Sequence, residues 1–341
     1  MAFTTIDDPS AYFKVQLYVG NATTGKTVVF DDTDTNMSPD FIWIKNRDGA
    51  DPHHVFDNVR TVGQRLRTNQ TDGASFVDAS DDLQQVRSHD SDGFTLGNNT
   101  DVNGNTENFV AWCWKESATA GFDIISYTGN ATNRTVSHSL SAVPHMMVVK
   151  NTVDPEHWRC YHHKIASDPE TDYINFSLNE AVEDNNLLWN DTAPTSSVFT
   201  VGTESGVNGN TDAMIAYLWT SIQGYSKFGS YKGNGDADGT FIYTGFRPAM
   251  VIFKQTNATG EKWYLFDSKR NPFNLTNELL FPSDALAESV NTTGAPIDIL
   301  SNGFKLRGTD AAGNGSGASY IYATWAEAPF VNSNGVPCNA R

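Results

Sequence analysis

Apolar residues fall in short runs separated by clusters of Asn, Gly, Asp, Ser and Thr. Phe109-Val110-Ala111-Trp112-Cys113-Trp114 is apolar at every position. In an extended strand this places Phe109, Ala111 and Cys113 on one face and Val110, Trp112 and Trp114 on the other. Residues 214–219 behave alike, and a strand apolar on both faces is one covered on both sides. Residues 41–45 and 146–150 predict further short strands, each opened by a proline. Turn clusters lie between strands: Asn103-Gly104-Asn105, Asn208-Gly209-Asn210 and Asn314-Gly315-Ser316-Gly317. Asn-Gly supplies the positive φ of a tight hairpin, so the last two strands of each unit are predicted to form one, closed by that turn. Helical signals are confined to residues 283–288, for one turn or two, and to Leu187-Leu188-Trp189. Many short strands with regular turn signals predict an all-β fold of antiparallel sandwiches.

The pattern repeats three times. Tyr18-Val19-Gly20-Asn21 returns as Tyr127-Thr128-Gly129-Asn130 and as Tyr231-Lys232-Gly233-Asn234, the glycines standing 109 and 104 residues apart. A proline-led strand ends Lys45-Asn46, then Lys150-Asn151, then Lys254-Gln255. A third block runs from Phe94 to Trp114, from Phe199 to Trp219 and from Phe304 to Trp325, spans of 20, 20 and 21 residues. A period near 105 residues indicates tandem whole units, because solenoid repeats are much shorter. The expected organisation is an arm over residues 1–12, sandwich repeats over 13–118, 119–223 and 224–330, and a tail over 331–341. The links fall near 117–120 and 223–228. Each unit is long enough to bury a core of its own, and the two end segments are read as docking arms or loose ends.

Composition narrows the function. The 341 residues are 39% hydrophobic, 12% aromatic and only 18% charged. That aromatic density supports a buried core. No apolar run is long enough for a membrane span, and the first residues lack the pattern of a signal peptide. Forty acidic against 23 basic residues give −17, a field that repels nucleic acid. The local exception, Arg60, Arg65 and Arg67, reads as a solvated rim. Cys113, Cys160 and Cys338 fit neither a disulfide framework nor a zinc pattern, and suit a chain made in a reducing cytosol. Triplets such as Asn21-Ala22-Thr23 and Asn274-Leu275-Thr276 are expected by chance in so Asn- and Thr-rich a chain.

Catalytic motifs are sparse. There is no Gly-x-Ser-x-Gly elbow, and Gly315-Ser316-Gly317 sits in a turn. Gly25-Lys26-Thr27 lacks the first glycine of a phosphate-binding loop. His157, Cys160, His162 and His163 are the densest set of metal-type ligands, but strand alternation sends Cys160 and His162 to one face and the other two to the opposite one. The acidic turns Asp31-Asp32-Thr33-Asp34 and Asp236-Ala237-Asp238-Gly239 lack full calcium-loop spacing. Asp57 and Asp267 occupy related places in copies one and three, where copy two has His162. Three similar units suggest binding or building, and multiplied weak sites bind by avidity. Trp114, Trp219 and Trp325 read as core residues. No catalytic residue, no metal site and no cofactor is therefore predicted, and no ligand-binding residue is nominated.

The order Tyr-x-Gly-Asn, proline-led strand ending Lys-Asn, Asp92-Gly93-Phe94-Thr95-Leu96-Gly97 and Trp-rich closing strand resembles a repeated domain in virion proteins of marine tailed phages, those of cyanobacterial podoviruses above all. Residues 223–235 and 241–248 carry the resemblance most strongly, and it extends over about residues 12–330. It implies concanavalin- or laminin-G-like jelly-roll sandwiches in a tail-fibre or other virion structural protein. The function it implies is attachment to host-surface glycans by a non-enzymatic, tail-associated appendage. Other virion proteins would be its partners, a homotrimer its assembly by analogy, and the host cytoplasm its place of synthesis. No heptad run exists for a coiled-coil shaft, so the appendage would be stubby or a distal module. A knob-like decoration protein of capsid or tail is the alternative, and a polysaccharide depolymerase the third reading. Exposed aromatics at loop ends favour sugar binding, large buried sandwich faces favour decoration, and two converging carboxylates favour the depolymerase.

Overall fold

A computed structural model describes residues 3–31, 35–76, 84–292 and 294–339. The chain is all-β, as its patterning predicts. Each repeat builds a main antiparallel sheet in one order: opening strand, closing strand, central strand, fourth strand. The opening strands are Phe13–Val19, Phe122–Thr128 and Ser226–Lys232, and the closing strands are Asn108–Trp114, Ala213–Trp219 and Ser319–Pro329. The central strands are Phe41–Asn46, Met146–Asn151 and Phe246–Gln255, and the fourth strands His54–Asp57, Arg159–His162 and Tyr264–Asp267. The register is shared: Trp114 pairs with Phe41, Trp219 with Met146 and Trp325 with Met250. A smaller sheet, Lys26–Val29 with Gly93–Leu96 in the first repeat, completes each sandwich. Its counterparts are Arg134–Ser137 with Val198–Val201, and Phe241–Tyr243 with Gly303–Leu306.

Both faces of each main sheet are buried, against different partners. Phe109, Ala111 and Cys113 pack within the first sandwich. Val110, Trp112 and Trp114 face outward from it and join one core to which all three repeats contribute. Three sandwich cores thus surround a fourth, common core. At its centre the three closing tryptophans meet edge to face, with ring centroids 6.5, 5.1 and 6.1 Å apart, a spacing favourable for aromatic pairs.

The contacts between repeats run in a closed ring. Trp158 of the second repeat donates from Nε1 to the Arg67 carbonyl of the first (2.8 Å). At the equivalent place in the third repeat, Trp263 donates to the Asn175 carbonyl of the second (3.0 Å). Thr68 of the first repeat then donates to the Pro282 carbonyl of the third (2.7 Å). One chain therefore reproduces internally the arrangement of a cyclic trimer.

The repeated motifs are clasps of this frame. Tyr18 and Tyr127 donate to the carbonyls of Val102 and Val207, and Tyr231 donates to that of Gly313. Fully buried Asn103, Asn208 and Asn314 each accept from the backbone N–H of Asn21, Asn130 or Asn234. The same three side chains donate to the carbonyls of Gly97, Gly202 and Gly308. A Cβ at Gly20 or Gly129 would collide with the carbonyl oxygen of Gly104 or Gly209, so the glycine of Tyr-x-Gly-Asn is needed for close approach. The lysines of the second motif, Lys45, Lys150 and Lys254, are wholly buried and donate to the carbonyls of Asn46, Asn151 and Gln255. Burial pulls each ammonium down to about 8.

Four sequence expectations change. The Asn-Gly segments close no hairpin: Gly93–Leu96 lies in the small sheet and Asn108–Trp114 in the main one. The buried asparagine carries the chain across the sandwich on one helical turn, Thr100–Asn103 or Ser205–Asn208, and Gly104 and Gly209 keep negative φ of −57° and −54°. Residues 283–288 form no helix, whereas Asn186–Trp189 does. The ends are docked, since Ile6 is buried in the common core and Asp7 accepts from Ser333 N–H (2.7 Å). The second link ends sooner than expected, because a strand already begins at Ser226.

Two outcomes follow from the shared core. Denaturant unfolding of the full chain should be a single cooperative transition, where three independent sandwiches would give separable steps; chevron and fluorescence data would show which. Gly129→Ala should cost about 4 kcal/mol or more, by forced displacement of the Gly209 backbone, and thermal unfolding would read it.

Candidate functional site

Most residues that stand out in the sequence are taken up by the ring. The three tryptophans are buried. Cys160 lies in the common core, while His157 pairs with Ser177 Oγ (3.1 Å), His162 with the Tyr322 carbonyl (3.2 Å) and His163 with the Phe228 carbonyl (3.0 Å). Among the described residues no three His, Cys, Asp or Glu side chains are grouped to hold a metal ion. Asp32, Thr33 and Asp34 lie outside the described residues. In the other acidic turn, Asp236 caps the Asp238 N–H and Asp238 pairs with Lys305.

Asp57 and Asp267 are seam anchors. Asp57 accepts from Tyr217 Oη of the second repeat (2.6 Å), and Asp267 accepts from Trp112 Nε1 of the first (3.1 Å). Each also pairs with the arginine three residues on, Arg60 at 2.7 Å and Arg270 at 2.6 Å. Burial alone would raise the Asp57 carboxyl, but Arg60 and the Tyr217 hydroxyl hold it below its ordinary range. By strand register the third repeat's equivalent of Tyr217 and Trp112 is Ala323, which has no side-chain donor, and the set in the second repeat changes together. Asp becomes His162, which meets a backbone carbonyl, and Arg becomes Ile165, which joins the common core. A buried ion pair is thus replaced as a unit. This also corrects the expected arginine rim: Arg60, Arg65 and Arg67 side chains are only 7, 14 and 21% exposed, held by Asp57, Asp101 and Asp72.

What remains open are the seams between repeats. The largest, about 710 Å³, lies between the second and third. One wall is the edge of the opening strand Ser226–Lys232; the other is His163 and Lys164, just past the second repeat's fourth strand. Phe3 and Tyr243, 53 and 54% exposed, rim it. Lys227 bonds the Tyr243 carbonyl and lies over its ring at 5.4 Å, holding the phenol in place. His163 stacks on His145 (4.1 Å), whose Nδ1 meets Ser221 Oγ at 2.9 Å. Burial, with His163 and Lys164 nearby, pulls His145 down to about 4, and burial lowers His163 too. Both imidazoles are therefore neutral at pH 7 and serve as hydrogen-bonding groups. Among the described residues no acidic side chain lines this cleft.

The register of the sheets shows what the sequence concealed. Lys227, Lys14 and Asp123 are equivalent, each standing next to the residue opposite its closing tryptophan. Lys164, Lys269 and Val59 are likewise equivalent, two residues past Asp or His of the seam anchor. Two seams thus carry the same lysine pair, and the second, between the third and first repeats, encloses about 430 Å³. The third is bridged instead: Glu116 of the first repeat hydrogen-bonds Asp123 of the second, which also accepts from the Ser139 N–H and Oγ of its own repeat. Aligning the copies residue by residue, and not only by motif, is the signal that would have found these lysines.

Burial, the bond to Asp123 and the charges of Asp123 and Asp40 push Glu116 from an ordinary 4.5 up to about 7. A raised carboxyl contributes stability below its unfolded pKa and loses it as pH climbs through the folded one. Thermal stability should therefore fall between pH 5 and 8, and Glu116→Gln should flatten that slope and stabilise the chain at pH 8. Arg60→Ala should cost about 3–5 kcal/mol by leaving Asp57 buried and unpaired, whereas Asp57→His with Arg60→Ile should cost less; urea titration compares them.

No curated protein matches the sequence. A protein family described as a domain of unknown function, DUF7483, matches residues 8–329, all three repeats in one unit. The chain belongs to the DUF7483 family.

Proposed function

We propose that the chain is a non-catalytic attachment module of a tailed-phage virion, tail-associated and recognising host-surface glycan in the cleft between its second and third repeats. The observation that carries this reading is the cleft itself: about 710 Å³, rimmed by two half-exposed aromatic rings and lined by Ser221, Ser226, Ser230, Thr244 and Gln223. Sugars present apolar ring faces and outward hydroxyls, and an aromatic rim over a hydroxyl-rich floor meets both. The motif resemblance supplies the virion; the cleft supplies a place for the ligand. No helix of the described residues is long and apolar enough to cross a membrane.

A second reading, a decoration protein, is favoured by one observation. The closed ring of three repeats gives a single chain threefold-like symmetry, which suits seating on a threefold position of a particle. In either reading the internal ring takes the place of the homotrimer expected by analogy, because the tryptophan faces that would drive trimerisation are already buried within one chain.

Antibody labelling of intact particles separates the two: label at the tail supports attachment, and label over the capsid supports decoration. Sedimentation of the purified chain should give a monomer. Tyr243→Ala should leave thermal stability nearly unchanged and weaken binding to host cells by about fivefold, the equivalent of about 1 kcal/mol of aromatic contact.

A further inference from the structure

The two open seams carry the same lysine pair but differ in what neutralises it. Between the third and first repeats, Lys269 Nζ pairs with Asp31 Oδ1 at 3.1 Å, and Arg247 Nε pairs with Glu327 Oε2 at 3.2 Å. Lys14 lies over the Phe30 ring at 5.3 Å. Lys269 and Arg247 of that groove thus each have a carboxylate partner. Strand register fixes the counterparts of these acids in the larger cleft. Val29 pairs with Gly93 as Tyr243 pairs with Gly303, so Asp31 corresponds to Gly245. Glu327 stands two residues past Trp325 as Ser221 stands two past Trp219. Among the described residues lining the larger cleft both acids are thus missing, and so is Arg247, the partner of Glu327; the acid lost from the lysine pair is Asp31, and both lysines are kept. Lys164 is exposed and makes no ion pair among the described residues.

A protein of net charge −17 with 40 acidic residues has a cleft of about 710 Å³ lined, among the described residues, by two lysines and no acid. Two lysines lining one recess give it a positive field, which water screens only in part. From this geometry we infer that the cleft between the second and third repeats binds an anionic saccharide, a uronate or sulfate ester, whose charged group sits against Lys164 where Asp31 sits against Lys269 in the neighbouring seam. The inference rests on the glycan-binding reading above and adds the charge of the ligand and its position. Asp31 acts as a built-in stand-in for that group, which keeps Lys269 occupied. The aromatic rim formed by Phe3 and Tyr243 would then take the adjoining sugar faces, and Lys227 would fix Tyr243 from below. A strongly acidic surface repels polyanions in general, so any acidic sugar that binds must do so at a local site of this kind.

Calorimetric titration of the full chain with three probes of equal length, an oligogalacturonate, a sulfated oligosaccharide and a neutral glucan, tests this. The expected result is one site for the uronate or the sulfate, weakening as salt rises, with the preferred probe identifying carboxylate or sulfate as the source. Lys164→Glu, at an exposed position, should weaken that binding on the order of tenfold or more without lowering the melting temperature. Asp31→Ala should free Lys269 and raise the number of sites from one to two. Binding of the neutral glucan as tight as that of the acidic probes, unchanged by Lys164→Glu, would overturn the charge assignment and leave the glycan-binding reading standing. Failure of all three probes to bind a folded chain would overturn both. Acidic-probe binding that survives Lys164→Glu would place the anion elsewhere and sink the site.

Discussion

The structure depends on an apolar surface that a single sandwich cannot cover. Each main sheet is hydrophobic on both sides, and its small partner sheet shields only one of them. The exposed side of one repeat, with Trp112, Trp114, Phe41 and Trp43, would be a patch far larger than a monomeric protein tolerates. Burial among three such faces removes it from water, at about 25 cal/mol for every Å² of apolar surface. Three faces meeting at one centre require cyclic contacts, and the ring of Trp158, Trp263 and Thr68 supplies their direction. Everything polar at the seams has to satisfy that geometry. Hence the buried Asp–Arg pairs appear where a neighbour offers a Tyr or Trp donor, and the His–Ile pair where it offers Ala323.

Much of the fold was legible because it is local and repeated. The double-faced apolar strands, the proline-led strands, the repeat length and the all-β class all follow from spacing along the chain. The split of residues 109–114 between two cores follows from strand alternation alone. The Asn-Gly segments misled because turn propensity reads two residues, whereas their conformation is set by three carbonyl and amide partners up to 82 residues away. The closing of the ring was not legible, since contacts such as Trp112 with Asp267 join positions 155 residues apart and leave no periodic trace. The arginines of residues 60–67 misled differently: Asp57 and Asp72 stand only three and five residues from Arg60 and Arg67, and counting the arginines as a patch passed over these local partners.

The site was legible least of all. A cleft between repeats belongs to neither repeat's pattern, and its lysines are ordinary surface residues when read one at a time. They become informative only as members of equivalent positions, with Lys227, Lys14 and Asp123 at one and Lys164, Lys269 and Val59 at the other. The large central residues, which dominate the aromatic content, report on assembly and are silent about ligand. The proposed ligand site lies at strand edges that the shared core leaves uncovered.

Joining three repeats in one chain has a further consequence. In a trimer of identical subunits every substitution is made three times, so a seam cannot be improved for one purpose without changing all three. A charge that helps an opening would also appear in the two interfaces that hold the assembly shut. Covalent linkage lifts that coupling. One seam can carry Asp123 and be bridged, another can pair Lys269 with Asp31, and the third can stay open, while the tryptophans at the centre keep one common geometry. The chain keeps the packing economy of symmetry and still has one seam that differs from the others.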